Sequence, residues 1–117
     1  MAYSIKTISP SKANITLIRG DSLILTLNIE RNGTAYEPQD GDVAVFTMRR
    51  NYKETSVGKP IIQKVINLME NAELIIEPYD TSGLAYGEYK YDIQLNFADG
   101  TVDTALIGLF TLDKEVT

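Results

Sequence analysis

Residues Gly87 to Phe97 read Gly-Glu-Tyr-Lys-Tyr-Asp-Ile-Gln-Leu-Asn-Phe. Every odd position from Tyr89 to Phe97 is aromatic or aliphatic, and every even position from Glu88 to Asn96 is charged or an amide. Side chains alternate between the two faces of a strand, so this stretch buries one face and wets the other. A helix would scatter the same apolar residues around its whole surface. The pattern predicts a central strand, and the remaining chain has to supply its neighbours.

Those neighbours are legible in the same way. Leu23, Leu25, Leu27 and Ile29 share one face of a second strand, with Thr26, Asn28 and Glu30 on the other. Asn32-Gly33 follows, a strong hairpin signal because both residues tolerate positive φ; a short return strand over 34–37 ends at Pro38. From Val43 to Arg50, Ala44, Phe46 and Met48 form one face. The other face, Val43, Val45, Thr47 and Arg49, is itself partly apolar, which predicts cover by a partner subunit. Two apolar runs, Pro60 to Ile66 and Ala72 to Glu77, predict a hairpin on a second sheet. Residues 80–87 predict a single helical turn or tight crossover, with Thr or Ser as a cap and Leu84 tucked inward. A turn around Asp99-Gly100 leads into a last strand over 102–112, with Leu106, Phe110 and Leu112 on one face and Ala105, Ile107 and Leu109 on the other. The expected architecture is an all-β, immunoglobulin-like β-sandwich of about seven to eight antiparallel strands. One domain spans residues 15–112, after an extended segment over 1–14 and before a polar tail over 113–117.

The residue types narrow the chemistry. The chain has no His and no Cys. Serine–histidine and cysteine–histidine nucleophiles, disulfides and thiolate metal sites are therefore ruled out. Aspartates flank Gly41, but the further oxygen ligands of a calcium loop are missing, so a turn is expected there. No glycine-rich phosphate loop precedes a helix. The expectation is a protein that is not an enzyme and takes no cofactor. With 11 basic and 16 acidic residues the net charge is −5, which disfavours nucleic acid as a partner. No apolar stretch is long enough to span a membrane as a helix, and the first residues do not read as a signal peptide. The Arg19-Gly20-Asp21 triplet matches an integrin-binding motif, yet Gly-Asp between two strands is ordinary turn chemistry. The polar stretch 51–59, with Arg49 and Arg50 beside it, reads as a solvated loop carrying a mild positive patch.

One constellation is structural. Tyr89 stands near the start of the long strand, just past the crossover that ends at Gly87. In immunoglobulin-type domains a tyrosine in that place, two residues before a disulfide cysteine, bonds the backbone upstream. Here Tyr91 takes the cysteine's place. The Tyr89 hydroxyl is expected to reach backbone near Asp80–Gly83. The structural residues expected at this corner and at the turns are Tyr89, Tyr91, Leu84, Gly87, Gly33 and Gly100; the expected partner face carries Val43, Val45 and Arg49.

The order of features also carries a resemblance. It runs through Arg-Gly-Asp-Ser-Leu-Ile-Leu-Thr-Leu, Asn-Gly-Thr-Ala-Tyr-Glu-Pro and Gly-Asp-Val-Ala-Val-Phe-Thr-Met-Arg, then Pro-Ile-Ile-Gln-Lys. It continues through Glu-Pro-Tyr-Asp-Thr-Ser-Gly-Leu-Ala-Tyr-Gly-Glu-Tyr-Lys-Tyr-Asp-Ile-Gln-Leu, Asp-Gly-Thr-Val and Gly-Leu-Phe-Thr-Leu. From Ile15 to Leu112 the chain resembles the immunoglobulin-like domain of phage and prophage tail and baseplate proteins, and is similar to the N-terminal domain of baseplate upper proteins. The resemblance implies a non-enzymatic structural or assembly module of a virion, made in the bacterial cytoplasm. Its implied partners are other tail or baseplate proteins, with self-association as a second mode. The competing expectation is a binding module of an adhesin or a carbohydrate-active protein.

Overall fold

A computed structural model describes residues 2–6, 11–31, 34–50 and 60–114. The chain is mostly β. Strands β1 (Ala2–Lys6), β2 (Ser11–Lys12), β3 (Ile15–Ile18), β4 (Leu23–Arg31), β5 (Thr34–Ala35) and β6 (Val43–Arg50) come first. Then follow β7 (Ile62–Asn67), β8 (Glu73–Ile76), a helical turn α1 (Pro78–Thr81), β9 (Gly87–Asn96) and β10 (Val102–Asp113). The larger sheet runs β2-β10-β9-β6-β7, with β3 also on β10; the smaller has β4 between β1 and β5, with β8 on β4. Both sheets contribute to one buried cluster. Leu25, Leu27, Leu74 and Ile76 come from the smaller sheet, and Phe46, Met48, Ile93, Leu95, Leu106 and Phe110 from the larger.

The alternating stretch becomes β9, flanked by β6 and β10 on its two edges. Tyr89, Tyr91, Ile93, Leu95 and Phe97 are buried, while Glu88 and Lys90 are exposed. The pattern of the sequence thus sets the middle of the larger sheet.

Three expectations need correction. The pairings are mixed: β1 runs parallel to β4, and β2 and β3 run parallel to β10. A short turn forces antiparallel pairing only on strands adjacent in sequence, and β3 and β10 are separated by almost the whole chain, so either sense is open to them. Secondly, β7 and β8 are not a hairpin. β7 pairs with β6 in the larger sheet and β8 pairs with β4 in the smaller. The turn after Asn67, whose carbonyl accepts from the Glu70 and Asn71 amides at 3.2 and 3.0 Å, carries the chain across. Alternation alone cannot distinguish the two outcomes, because either partner would bury Ile66, Leu74 and Ile76. Thirdly, the register of β9 and β10 shifts between Thr104 and Leu106, so Ala105 and Leu106 are both buried instead of facing opposite ways. A bulge of this kind bends the strand and increases its twist.

The helical turn starts earlier than expected. Its N-cap is Glu77 and its first residue is Pro78, whose missing N–H costs nothing at that position. The Glu77 amide donates to Asp80 Oδ2 at 2.7 Å. Gly33, Asn32 and the stretch 51–59 lie outside the described residues.

Candidate functional site

The described polar side chains in the interior serve as ties between elements. Tyr91 illustrates the device. Its ring packs edge-on against Phe110, with centroids 6.3 Å apart, and tilted against Phe46 at 5.7 Å. Its hydroxyl donates to Ala13 O at 2.7 Å, across 78 positions of sequence. Ala13 sits where the chain steps from β2 to β3 along the edge of β10. There the Ala13 amide donates to Ile107 O at 3.0 Å, and Asn14 Oδ1 accepts from the Leu109 amide at 3.1 Å, so a side chain replaces a ladder bond at the step. Gly108 makes the approach possible. A Cβ on it would lie 1.8 Å from Ala13 O and 3.1 Å from the Tyr91 ring. An unbranched aromatic with a hydroxyl thus joins the middle of the larger sheet to its edge.

Tyr89 makes the second tie. Its hydroxyl donates to Ala85 O at 2.7 Å. The expected acceptor region, Asp80–Gly83, is therefore displaced toward the strand by a few residues: the corner closes over Ala85, four positions upstream. Leu84 is half-buried against the core, and its amide donates to Thr81 O at 2.9 Å. Gly87 has φ 132° and Gly100 has φ 95°, conformations that favour glycine at the start of β9 and in the β9–β10 turn.

Asp42 makes the third tie, one that no local sequence pattern marks. The residue is 2% exposed. Oδ1 accepts from the Ala98 amide at 2.7 Å; Oδ2 accepts from the Gln39 amide at 3.0 Å and from the Tyr36 hydroxyl. Tyr36 in turn packs edge-on against Phe97, 5.6 Å between centroids. One carboxylate pins the β5–β6 turn to the β9–β10 turn, and its oxygens are committed to these donors. A buried aspartate and a turn aspartate look alike in sequence; the donors of Tyr36, Gln39 and Ala98 gathered around this one distinguish it.

The Arg19-Gly20-Asp21 turn is also bound inward. Arg19 Nη1 donates to Leu84 O at 3.1 Å, with its guanidinium 4.2 Å from the centre of the Tyr86 ring. The Gly20 amide donates to Oγ1 of the fully buried Thr81 at 3.0 Å. The arginine thus braces the crossover before β9 and does not project as a recognition loop.

The expected partner face is brought together on the outer side of the larger sheet. Val43 and Val45 are half-buried, and Val45 pairs across with Val65, which is 69% exposed. Arg49 lies 3.8 Å from Asp92. Burial pushes the Asp92 carboxyl above its usual 3.8, with Arg49 pulling the other way. On the same face Gln63 Nε2 donates to Thr47 Oγ1 at 3.3 Å. Lys64 is drawn to Asp80, 2.9 Å from Oδ2, tying β7 to α1.

Among the described residues no group of acidic side chains has the arrangement of a metal site, and no helix is long and apolar enough to cross a membrane. No known family model matches the chain, and neither does any curated protein.

Proposed function

We propose that the chain is an immunoglobulin-like module that serves as a non-enzymatic structural or assembly part of a phage or prophage tail or baseplate, acting through protein–protein contacts. The strand order supports the fold reading. In this reading β6, β9 and β10 are strands C, F and G, β7 is the added C′ strand, and β4 and β8 are B and E on the facing sheet. Tyr89 then stands at the tyrosine corner and Tyr91 replaces the second cysteine, its hydroxyl supplying a long-range tie that a disulfide would otherwise give. The parallel pairing of β1 with β4 is a departure from that plan.

The observation that carries the functional reading is the use of polar groups. Among the described residues no buried side-chain nitrogen or oxygen lacks a hydrogen-bond partner. Asp42, Tyr89 and Tyr91 spend their polar atoms on backbone and neighbouring side chains, as a scaffold does. An active site instead aims polar groups at a space for substrate. A glycan-binding reading needs free aromatic faces; one face of Tyr86 is covered by Arg19, and Tyr79, 72% exposed, has the Lys64 ammonium 5.8 Å from its ring centre. The test is co-expression of the chain with tail and baseplate proteins encoded beside its gene, followed by size-exclusion chromatography with mass determination. A complex of fixed stoichiometry is expected. A strict monomer that binds a glycan and no tail protein would refute the proposal.

A further inference from the structure

β7 closes one side of the larger sheet, and among the described residues no strand pairs with its outer edge. The phase of that edge follows from hydrogen bonding. In an antiparallel pair, residues alternate between those bonded to the neighbour and those turned away. The Leu68 amide donates to Asp42 O at 3.1 Å. Counting back along the register, Ile66 and Lys64 face Ala44 and Phe46 in bonded pairs, so Gln63 and Val65 turn their N–H and C=O groups outward. The Asn67 carbonyl points the same way, since it accepts from Glu70 and Asn71 beyond the strand. On the facing sheet the Leu27 amide donates to Ala72 O at 2.8 Å. By the same count Glu73 and Ile75 turn their backbone groups away from β4. A groove of about 250 Å³ lies between the two strands, lined by Val65, Asn67, Glu73 and Ile75 with Lys64 and Glu70.

Sheet edges of this sort are ordinarily blunted by a free lysine, a proline or a bulge. β7 carries none of these within its span. Its register with β6 runs without a shift from Ile62 to Asn67, and its one lysine is held by Asp80. The rim supplies the charge: Glu70 and Glu73 line the groove, while Lys64 is neutralised within the chain. Two copies meeting edge to edge would bring these carboxylates together. An extended segment bearing lysine or arginine would complement them, and its apolar side chains would cover Val65 and Ile75, 69% and 39% exposed.

We infer that the β7 edge is a strand-addition site for an extended partner segment in which basic residues alternate with apolar ones. The inference rests on the assembly reading above and names the surface used. The phase of the edge supplies a sharp test. Proline at Val65 removes an outward N–H and leaves the ladder to β6 intact, whereas proline at Ile66 removes an inward one. Binding of a short peptide alternating lysine and valine is followed by amide chemical shifts of the intact chain. A glutamate–valine peptide and an N-methylated lysine–valine peptide serve as controls. The lysine–valine peptide is expected to shift the Gln63 and Val65 amides, and to bind more weakly as salt is raised. The Val65→Pro variant is expected to fold and to lose at least about tenfold in affinity, the equivalent of one good hydrogen bond. Glu73→Lys is expected to weaken the lysine–valine peptide and favour the glutamate–valine one. Equal binding of all the peptides, no binding, unfolding of Val65→Pro, or dimerisation of the chain through β7 would each overturn the inference. If Val65→Pro still joins tail proteins as the unaltered chain does, the edge is wrong and the assembly reading stands. If the unaltered chain joins none, the assembly reading itself fails.

Discussion

Replacing Gly108 with alanine places one methyl group where the structure has no room for it. The new Cβ would fall 1.8 Å from Ala13 O and 2.7 Å from Ala13 C, both backbone atoms, so no side-chain rotation relieves the clash. The step between β2 and β3 must move away from β10. That movement removes the acceptor of the Tyr91 hydroxyl and strains the Ala13–Ile107 bond. Overpacking costs about 1–3 kcal/mol. Stranding a buried hydroxyl adds about 1–3 kcal/mol. Gly108→Ala is therefore expected to lower stability by about 2–6 kcal/mol, reaching the upper end for a single substitution. Urea unfolding followed by fluorescence measures it. Tyr91→Phe alone removes only the tie, at about 1–2 kcal/mol. Because both changes act on the same carbonyl, their effects should fall well short of adding, and a double-mutant cycle reads the shortfall. If Gly108→Ala lies within about 0.5 kcal/mol of the unaltered chain, as ordinary surface changes do, the close approach at Ala13 is wrong.

Further outcomes follow from the other ties. Tyr89→Phe should cost about 1 kcal/mol in the same assay, the worth of one hydrogen bond; less than about half of that would count against the corner at Ala85. Asp42→Ala strands the Gln39 and Ala98 amides and the Tyr36 hydroxyl, and should cost about 3–5 kcal/mol, with Asp42→Asn intermediate. Asp92 titrates higher in the folded chain than in the unfolded one, so the folded state holds the extra proton and this group's contribution to stability falls as pH rises from 3.8 through the raised value. Asp92→Asn should accordingly stabilise slightly at neutral pH, an advantage that vanishes in acid; unfolding curves across pH and a carboxyl titration by NMR check it.

The sequence carried the strands well and their partners poorly. β9 was legible because its alternation is unbroken from Glu88 to Phe97, and a strand with one apolar face has only one way to lie on a core. β7 and β8 were legible as strands but not as members of different sheets, since both sheets line the same core and reward the same pattern. The parallel edge strands were hidden for a related reason: nothing local to Ile15–Ile18 encodes the direction of β10, far along the chain. Tyr89 could be placed at a corner from its spacing, whereas its acceptor depended on where the helical turn began, and Glu77-Pro78 started it earlier than the Thr and Ser residues suggested. Gly108 did leave a sign. An isolated glycine inside a strand marks a bulge or a close backbone approach, but the approaching segment, Ala13, lies beyond the reach of any local pattern. Val43, Val45 and Arg49 alternate along β6 and are each half-buried, as period-two spacing puts them on one face.

Amide hydrogen exchange on the free chain and on the chain in the proposed complex with tail or baseplate proteins tests the central claim most directly. In the free chain the amides of Lys64 and Ile66, bonded to β6, should be protected, and those of Gln63 and Val65 should exchange quickly. On assembly Gln63 and Val65 should become protected while the rest of β7 changes little. Protection gained instead on the face of Val43, Val45 and Arg49, or no gain anywhere, would contradict a module that joins its partners through the open edge of β7.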